Sequence, residues 1–198
     1  MAKRSLKAGI EEKTIIENDS VYIINNPSQT NIYSIYLLEE IGDSKHYRDV
    51  FNLLREADED EYFKLYLNNR GGYVHTGLDI MNAMKACKGV VLTCMTGACY
   101  SMAPLIVLTG DKVYVEEDSF MMFHDYSGGT AGKGNEIHSQ IVYEKPHFDA
   151  MFRKITKGFL KESEIKRVLK GQDLYLGTEE VIKRLKKIGK LGNYVGDL

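Results

Sequence analysis

The chain has 198 residues and a mass of 22.5 kDa, with 43% hydrophobic and 27% charged residues. This length suits one domain of ~100 to 200 residues, and the composition excludes collagen-like, low-complexity and wholly disordered chains. The net charge of −2 provides no overall positive field for nucleic acid or an anionic membrane. We therefore expect a soluble globular protein with neither of these partners.

The first 20 residues are polar and charged, without the ~7 to 15 apolar residues of a signal peptide. No later stretch approaches the ~18 uninterrupted apolar residues of a membrane span. We expect an N-terminal arm at 1–20 and a single domain at 21–198, located in the cytoplasm. The cysteines favour a reducing compartment, because the chain has three of them and they lack CxxC spacing.

Between residues 21 and 123, β-branched and aromatic runs alternate with segments of helical spacing. The predicted strands are 21–24, 32–38, 62–67, 90–95, 112–115 and 120–123. Helices are predicted after Gly42, from the capping-box pattern at Thr76, and from Ser101 after a break at Gly97-Ala98. This alternation predicts an α/β fold with a largely parallel sheet.

The last third of the chain is predicted to be mainly helical. Apolar residues share one helical face over 136–157, and Pro146 should bend this long helix because it removes a backbone hydrogen bond. Shorter helices are predicted at 163–170 and 178–188, the second capped by Thr178.

Ser101 lies where a predicted strand ends and a helix begins. Active sites in open α/β sheets gather at such ends, and free first-turn amides can stabilise an oxyanion. Ser101 is therefore a candidate nucleophile, although an ordinary N-cap serine occupies the same position. Cys99 is an alternative on the same strand face, but it precedes the helix start, and we assign it to the core.

His124 and Asp173 are candidate partners for this serine. His124 follows an apolar strand and precedes a glycine-rich loop, where an imidazole could act as general base. Asp173 precedes the apolar run 174–176 and could orient that imidazole. A structurally satisfied histidine and a turn-forming aspartate are the ordinary alternatives. The histidine spacing matches no metal-site pattern, so no metal is predicted.

Two glycine-rich segments are candidate substrate contacts. Gly71 and Gly72 follow a strand end, where a missing Cβ lets a substrate backbone or an oxyanion approach the main-chain N–H groups. Gly128 and Gly129 begin a segment that is either a flexible loop or a pliable edge strand for an extended peptide. Neither GxGxxG nor GxxxxGK[ST] occurs, so no nucleotide-binding loop is predicted.

Taken in order, these motifs resemble one family. YLNNRGGYVHTGLDIMNAMKAC resembles the strand, Ser-Pro-Gly-Gly loop and helix of the ClpP family, the caseinolytic serine peptidases of the Clp system. TGACYSMAP resembles its nucleophile segment, and MMFHDYSGG its Met-Ile-His-Gln-Pro-Leu-Gly-Gly. QDLYLGTEEVIKRLKKIG is similar to the segment that carries its aspartate. The resemblance is continuous from about residue 32 to residue 190.

The resemblance implies a crotonase-like spiral of βαβ units with a projecting handle at about 125–158, formed by the long helix and a glycine-rich strand. It implies that Ser101 is the nucleophile, His124 the general base and Asp173 the group that orients the imidazole. The remaining implied roles are an oxyanion hole of backbone N–H groups (Gly72 and Met102) and a substrate-binding set (Gly71, Gly128 and Gly129). This chemistry needs no metal or organic cofactor.

Members of this family form heptameric rings that stack in pairs and receive unfolded substrate from a hexameric AAA+ unfoldase. The resemblance therefore implies a homo-oligomeric serine endopeptidase that acts on peptides or unfolded proteins. Pro146 in the handle, and Gln172 in place of an arginine used in ring-to-ring contacts, leave a single ring, another stacking mode or a pH-dependent assembly open. Arg70 also replaces the proline of the Ser-Pro-Gly-Gly loop.

Three alternatives share part of this pattern. A phage head-maturation protease would use the same fold and chemistry to trim one structural protein. A non-catalytic subunit would join a ring while its triad positions drifted. A crotonase-type acyl-CoA enzyme would share the fold and the paired oxyanion donors without requiring a Ser, His and Asp set. We rank the endopeptidase first because Ser101, His124 and Asp173 fill all three positions.

Overall fold

One eight-stranded sheet organises this computed structural model. The structure describes residues 14–17, 20–25, 31–129 and 131–192. The strands are β1 Thr14–Glu17, β2 Tyr22–Asn25, β3 Ile32–Leu37, β4 Tyr62–Asn69, β5 Val90–Tyr100, β6 Lys112–Val115, β7 Phe120–Phe123 and β8 Leu174–Gly177. The helices are α1 Arg48–Arg55, α2 Val74–Ala86, α3 Met102–Thr109, α4 Gly134–Thr156, α5 Glu162–Val168 and α6 Thr178–Lys187, with a short 3-10 helix at Ser44–Tyr47.

The sheet is parallel at its centre and antiparallel at both edges. Its order is β1-β2-β3-β4-β5-β7-β8, and β6 pairs with β5 beside β7. The pairs from β3 to β7 are parallel, whereas β1, β2 and β8 pair antiparallel with their neighbours. The prediction of a largely parallel sheet therefore holds for the centre. The prediction is wrong at the first edge of the sheet, where β2 and β3 pair antiparallel. These two strands are joined by a short connection, which antiparallel neighbours can use and parallel ones cannot.

The core lies between the sheet and helices α1, α2 and α3. Phe63, Leu65 and Leu67 of β4 are fully buried there. A Cβ on Gly77 of α2 would lie 2.3 Å from Cγ of Met102, so α2 and α3 are in close contact at this glycine. This contact fixes the first residue of α3, directly after the end of β5.

Three predicted features, two helix caps and one strand end, differ from the structure because a side chain is hydrogen-bonded to a distant residue. Helix α2 begins at Val74 rather than being capped by Thr76, whose hydroxyl donates to Gly42 O at 2.7 Å. Strand β5 continues through the predicted break at Gly97-Ala98. Thr178 does not cap α6, since its hydroxyl donates to Ser119 O at 2.5 Å and Gly177 is the N-cap residue.

The predicted handle consists of the long helix α4 and a loop. Helix α4 continues through Pro146 without interruption, and the His147 ring Nδ1 donates to Tyr143 O at 2.7 Å, close to the position of the lost backbone bond. The glycine-rich strand is absent from the described residues, because 124–129 adopt no strand conformation. Gly128 and Gly129 are exposed, and a Cβ added to either would meet no other described residue within 4 Å.

Part of the predicted N-terminal arm is a strand. Residues Thr14–Glu17 form β1 and pair antiparallel with β2, while 1–13 lie outside the described residues. Among the described residues, no helix has both the length and the apolar character needed to cross a membrane.

A buried ion pair joins α5 to α6. Arg184 donates two hydrogen bonds to the Glu164 carboxylate, both at 2.8 Å, and a third to Glu180 at 2.7 Å. The hydrogen bonds from Arg184 lower the pKa of Glu164 to about 2 although burial opposes this shift. Since breaking a buried pair leaves one charge uncompensated, loss of either partner should destabilise the C-terminal part of the fold.

We expect Glu164→Gln to lower the free energy of unfolding by about 3 kcal/mol at pH 7, because it leaves the buried Arg184 guanidinium undercompensated. The matched control is Glu162→Gln in the same helix. Glu162 forms an exposed pair with Arg153, so this change should cost less than about 1 kcal/mol. Urea titration of both variants checks the difference.

The pH dependence provides a second readout of the same pair. A carboxylate whose pKa is lowered on folding stabilises the folded state above its ordinary pKa, and this contribution is lost as pH falls through the folded pKa. The difference between the wild type and Glu164→Gln should therefore shrink from about pH 4.5 towards pH 2. A difference that stays constant over this range would contradict the assignment.

Candidate active site

Ser101 joins β5 to α3 in a strained backbone conformation. Its φ is +59° and its ψ −110°, a region that costs a residue with a side chain about 1–3 kcal/mol. Its N–H donates to Met122 O of β7 at 2.9 Å. Although Ser101 is the N-cap residue of α3, its side chain makes no capping hydrogen bond. The ordinary N-cap interpretation therefore does not account for the hydroxyl.

The Gly71-Gly72 loop packs directly against Ser101. A Cβ on Gly71 would lie 2.6 Å from Ser101 Cβ and 2.8 Å from Met102 N. One on Gly72 would lie 2.2 Å from Ile41 O, and both glycines have positive φ, +88° and +138°. Two hydrogen bonds of 2.7 Å, Ile41 N–H to Gly71 O and Tyr73 N–H to Ile41 O, hold this loop. No side chain fits at position 71 or 72 without displacing backbone.

Two backbone N–H groups beside Ser101 are available to an incoming ligand. Met102 is the first residue of α3, and first-turn amides have no intrahelical acceptor. The Gly72 N–H likewise has no acceptor among the residues for which the structure gives positions. Backbone N–H donors of this kind form an oxyanion hole in acyl-transfer enzymes where they converge on one oxygen.

His124 lines the same cavity as Ser101. It directly follows β7, whose Met122 pairs with Tyr100 beside the serine. The cavity has a volume of about 450 Å³. Its apolar wall is formed by Leu105, Met122, Phe148, Met151, Phe152 and Leu169. Its charged lining groups are Glu40, Arg70, Asp125 and Asp149.

Asp173 lies apart from this cavity. It is exposed, it is not among the lining residues, and no hydrogen bond joins it to His124 in the described part of the chain. The antiparallel ladder of β7 and β8 ends at the pair Phe123 and Leu174, so His124 and Asp173 are the next residues beyond the same end of this strand pair. The ladder does not pair the two residues with each other, and Asp173 is exposed.

Cys99 is not a nucleophile in this arrangement. Its side chain is fully buried, and burial raises the pKa of its thiol to about 12. Because the thiolate is the reactive form, this residue is inert near neutral pH. Its assignment to the core is confirmed.

The loop that follows His124 is anchored to α4. Lys145 forms ion pairs with Asp125, at 3.4 Å, and with Asp149. Burial opposes the charge of Lys145, but these two carboxylates raise its pKa above the ordinary value. The Tyr126 ring also contacts Phe148, with centroids 4.7 Å apart. These contacts fix the loop that carries the histidine against one wall of the cavity.

Sequence reasoning missed this anchor. The spacing of four between Lys145 and Asp149 is a recognisable helix-surface pair, but Asp125 is 20 residues away from Lys145 in the sequence and gives no such signal. No group of three or more His, Cys, Asp or Glu side chains with a metal-binding arrangement occurs in the described ranges.

The sequence of the chain matches a known protease family. The sequence profile of the family described as Clp protease matches residues 17–180, which is more than half of the chain. The chain belongs to the Clp protease family. This membership confirms the resemblance inferred from the motifs and the ClpP-like α/β fold.

One relative within the Clp protease family is the ATP-dependent Clp protease proteolytic subunit 3, chloroplastic, of Arabidopsis thaliana. The two sequences are 33% identical over 109 residues, which amount to 52% of this chain and 35% of the relative. The match thus spans about one third of the relative's length.

We expect Gly71→Ala to lower the free energy of unfolding by roughly 2 kcal/mol or more, because a side chain at positive φ is strained and this Cβ meets backbone atoms. Gly128→Ala is the matched control, since that position opens to free space. It should change stability by less than about 0.5 kcal/mol. Equal unfolding midpoints for the two variants in urea would contradict the packing described for Gly71.

Proposed function

We propose that the protein is a serine endopeptidase in which Ser101, His124 and Asp173 form the catalytic triad. Ser101 Oγ attacks a peptide carbonyl carbon while His124 takes the hydroxyl proton. The C–N bond then breaks, and His124 passes that proton to the leaving amine. Water, activated by the same imidazole, hydrolyses the resulting ester and restores the serine. Asp173 orients the imidazole and stabilises its charged form.

The observation that carries this proposal is the position of Ser101. The Ser101 backbone has a positive φ, its hydroxyl makes no capping hydrogen bond, and the residue lines the same cavity as His124. Beside it are the backbone N–H groups of Gly72 and Met102, which have no acceptor among the described residues. Donors fixed before the reaction stabilise the developing oxyanion without reorganisation. In the proposed mechanism these N–H groups hold the charged oxygen of the tetrahedral intermediate.

The proposed substrates are peptides or unfolded proteins. The apolar wall of the cavity suits a large apolar side chain next to the scissile bond, and Leu105 and Phe152 are two of its buried members. The proposed substrate contacts are Gly71, Gly128 and Gly129. At Gly128 and Gly129 an extended backbone could approach freely, because a Cβ added to either would meet no other described residue within 4 Å. Binding of this kind requires an extended chain, and folded proteins do not provide one.

The proposed working form is a homo-oligomeric ring, heptameric as in the ClpP family and single or stacked in pairs. Exposed apolar side chains on α4 support a subunit contact, because Ile141, Val142 and Tyr143 are 50%, 58% and 68% exposed. The proposed partner is an AAA+ unfoldase, which would consume the ATP, so the peptidase itself would need no cofactor. The free cysteines support the proposed cytoplasmic location, since they suit a reducing compartment.

We expect a fluorophosphonate to label the wild type at Ser101, because such probes react with activated serine hydroxyls. Ser101→Ala should abolish labelling. Ser127→Ala is the matched control, since Ser127 lines the same cavity, and it should retain labelling. Peptide mass spectrometry locates the adduct, and native mass spectrometry of the same sample counts the subunits.

Each alternative predicts a different outcome. A labelled ring that cleaves varied peptides supports the proposal, and cleavage confined to one structural protein would support the phage head-maturation alternative. A ring without labelling would support the non-catalytic subunit. An adduct that persists in Ser101→Ala would refute the assignment of the nucleophile.

Removal of the proposed base should nearly abolish turnover. We expect His124→Ala to lower kcat by at least about 1,000-fold with little change in KM. His75→Ala is the control, because His75 contacts Phe148 but does not line the cavity.

Asp173→Asn should also lower kcat strongly while leaving the unfolding midpoint nearly unchanged, since its carboxylate is exposed. A matched loss of turnover and stability would instead identify Asp173 as a structural residue.

A further inference from the structure

Asn69, at the end of β4, is a buried side chain that the proposed mechanism does not use. It is 2% exposed, and its amide makes three hydrogen bonds to the backbone. Its Oδ1 accepts the Gly71 N–H at 2.7 Å. Its Nδ2 donates to Leu37 O at 3.2 Å and to Glu39 O. One side chain therefore ties the glycine loop to the segment that follows β3.

These bonds act on the loop that borders the nucleophile. The contact from Gly71 N–H to a side chain two residues earlier is an Asx turn, which fixes the course of the intervening residue. That residue is Arg70, whose φ is otherwise free to rotate, unlike that of a proline. Gly71 in turn touches Ser101, and Gly72 supplies one of the proposed oxyanion donors.

The neighbouring Asn68 contacts the other backbone segment that meets at Ser101, the end of β5. Strand β5 has two more residues than β4 in the stretch where the register changes between Leu67 and Asn69. The Asn68 Oδ1 accepts the Ala98 N–H at 3.0 Å within this irregular stretch. Two consecutive asparagines thus contact the two backbone segments, 70–72 and 97–101, that meet at Ser101.

We propose that Asn69 is a positioning residue for the oxyanion hole, acting through its hydrogen bond to Gly71. This inference rests on the proposed function. Because the Gly72 N–H matters only where charge develops on the carbonyl oxygen, a displaced loop should weaken binding of the transition state and leave binding of the substrate intact. The expected effect is a loss in kcat with KM preserved.

The test compares three variants by kcat, KM and the fraction of sites that a fluorophosphonate labels at completion. Asn69→Leu keeps the branched shape and the number of heavy atoms but removes every side-chain hydrogen bond, and we expect kcat per labelled site to fall about 100-fold. Asn69→Ser retains an acceptor for the Gly71 N–H and should lose about 10-fold or less. Thr93→Val is the matched control, because it removes a different buried side-chain bond, to Val107 O at 2.8 Å, away from the cavity. It should keep the wild-type kcat per labelled site.

The outcomes separate this inference from the proposed function. A labelled wild type whose Asn69→Leu variant keeps its kcat per labelled site would overturn the inference alone. Two other results would also overturn the inference alone. In the first, Asn69→Leu lowers the labelled fraction and the amount of folded protein, but the remaining sites turn over normally. In the second, Asn69→Ser has a kcat per labelled site no higher than that of Asn69→Leu. A wild type that is neither labelled nor active would overturn the proposed function, and this inference with it.

Discussion

The close approach of the Gly71-Gly72 loop to Ser101 is the constraint on which the rest of the site depends. A Cβ added to Gly71 would lie only 2.6 Å from Ser101 Cβ, so the two backbone segments touch without an intervening side chain. This contact brings the ends of β4 and β5 to one point and places the first-turn nitrogen of α3, Met102 N, beside the loop. Any residue larger than glycine would separate the two proposed oxyanion donors.

The parallel centre of the sheet makes this contact possible. Strands β4, β5 and β7 run in the same direction, so their carboxyl ends lie at the same edge. The Gly71 loop, Ser101 and His124 follow these three ends in sequence order, although 53 residues separate Gly71 from His124. Helix α3 is held by Met102 against Gly77, so the serine has little freedom to move away from the loop. The sheet thus provides the spacing, and the glycines allow the approach.

The sequence predicted the elements well wherever local pattern determines them. The limits of β6 and β7 agree with the predicted ranges 112–115 and 120–123, because short apolar strands between turns are local features. The start of α2, the length of β5 and the cap of α6 differ because Thr76, Asn68 and Thr178 each bond to a residue 30 or more positions away. Local pattern contains no information about such partners, and the same reason hides Asn69.

The two halves of the candidate site, Ser101 with the glycine loop and His124 with Asp173, are held in place by different kinds of contact. Ser101 and the glycine loop are fixed by buried groups within the subunit, among them Asn69, Ile41 and Met102. The other half rests on surface features: Asp173 is exposed, and Lys145 anchors the 124–129 loop to an α4 helix whose apolar side chains face solvent. Contacts with a second chain on α4 would act on the histidine loop first, whereas the N–H groups proposed as oxyanion donors are held by contacts within the subunit. Assembly would therefore bear on the proton transfer that we propose for His124 more than on stabilisation of the oxyanion.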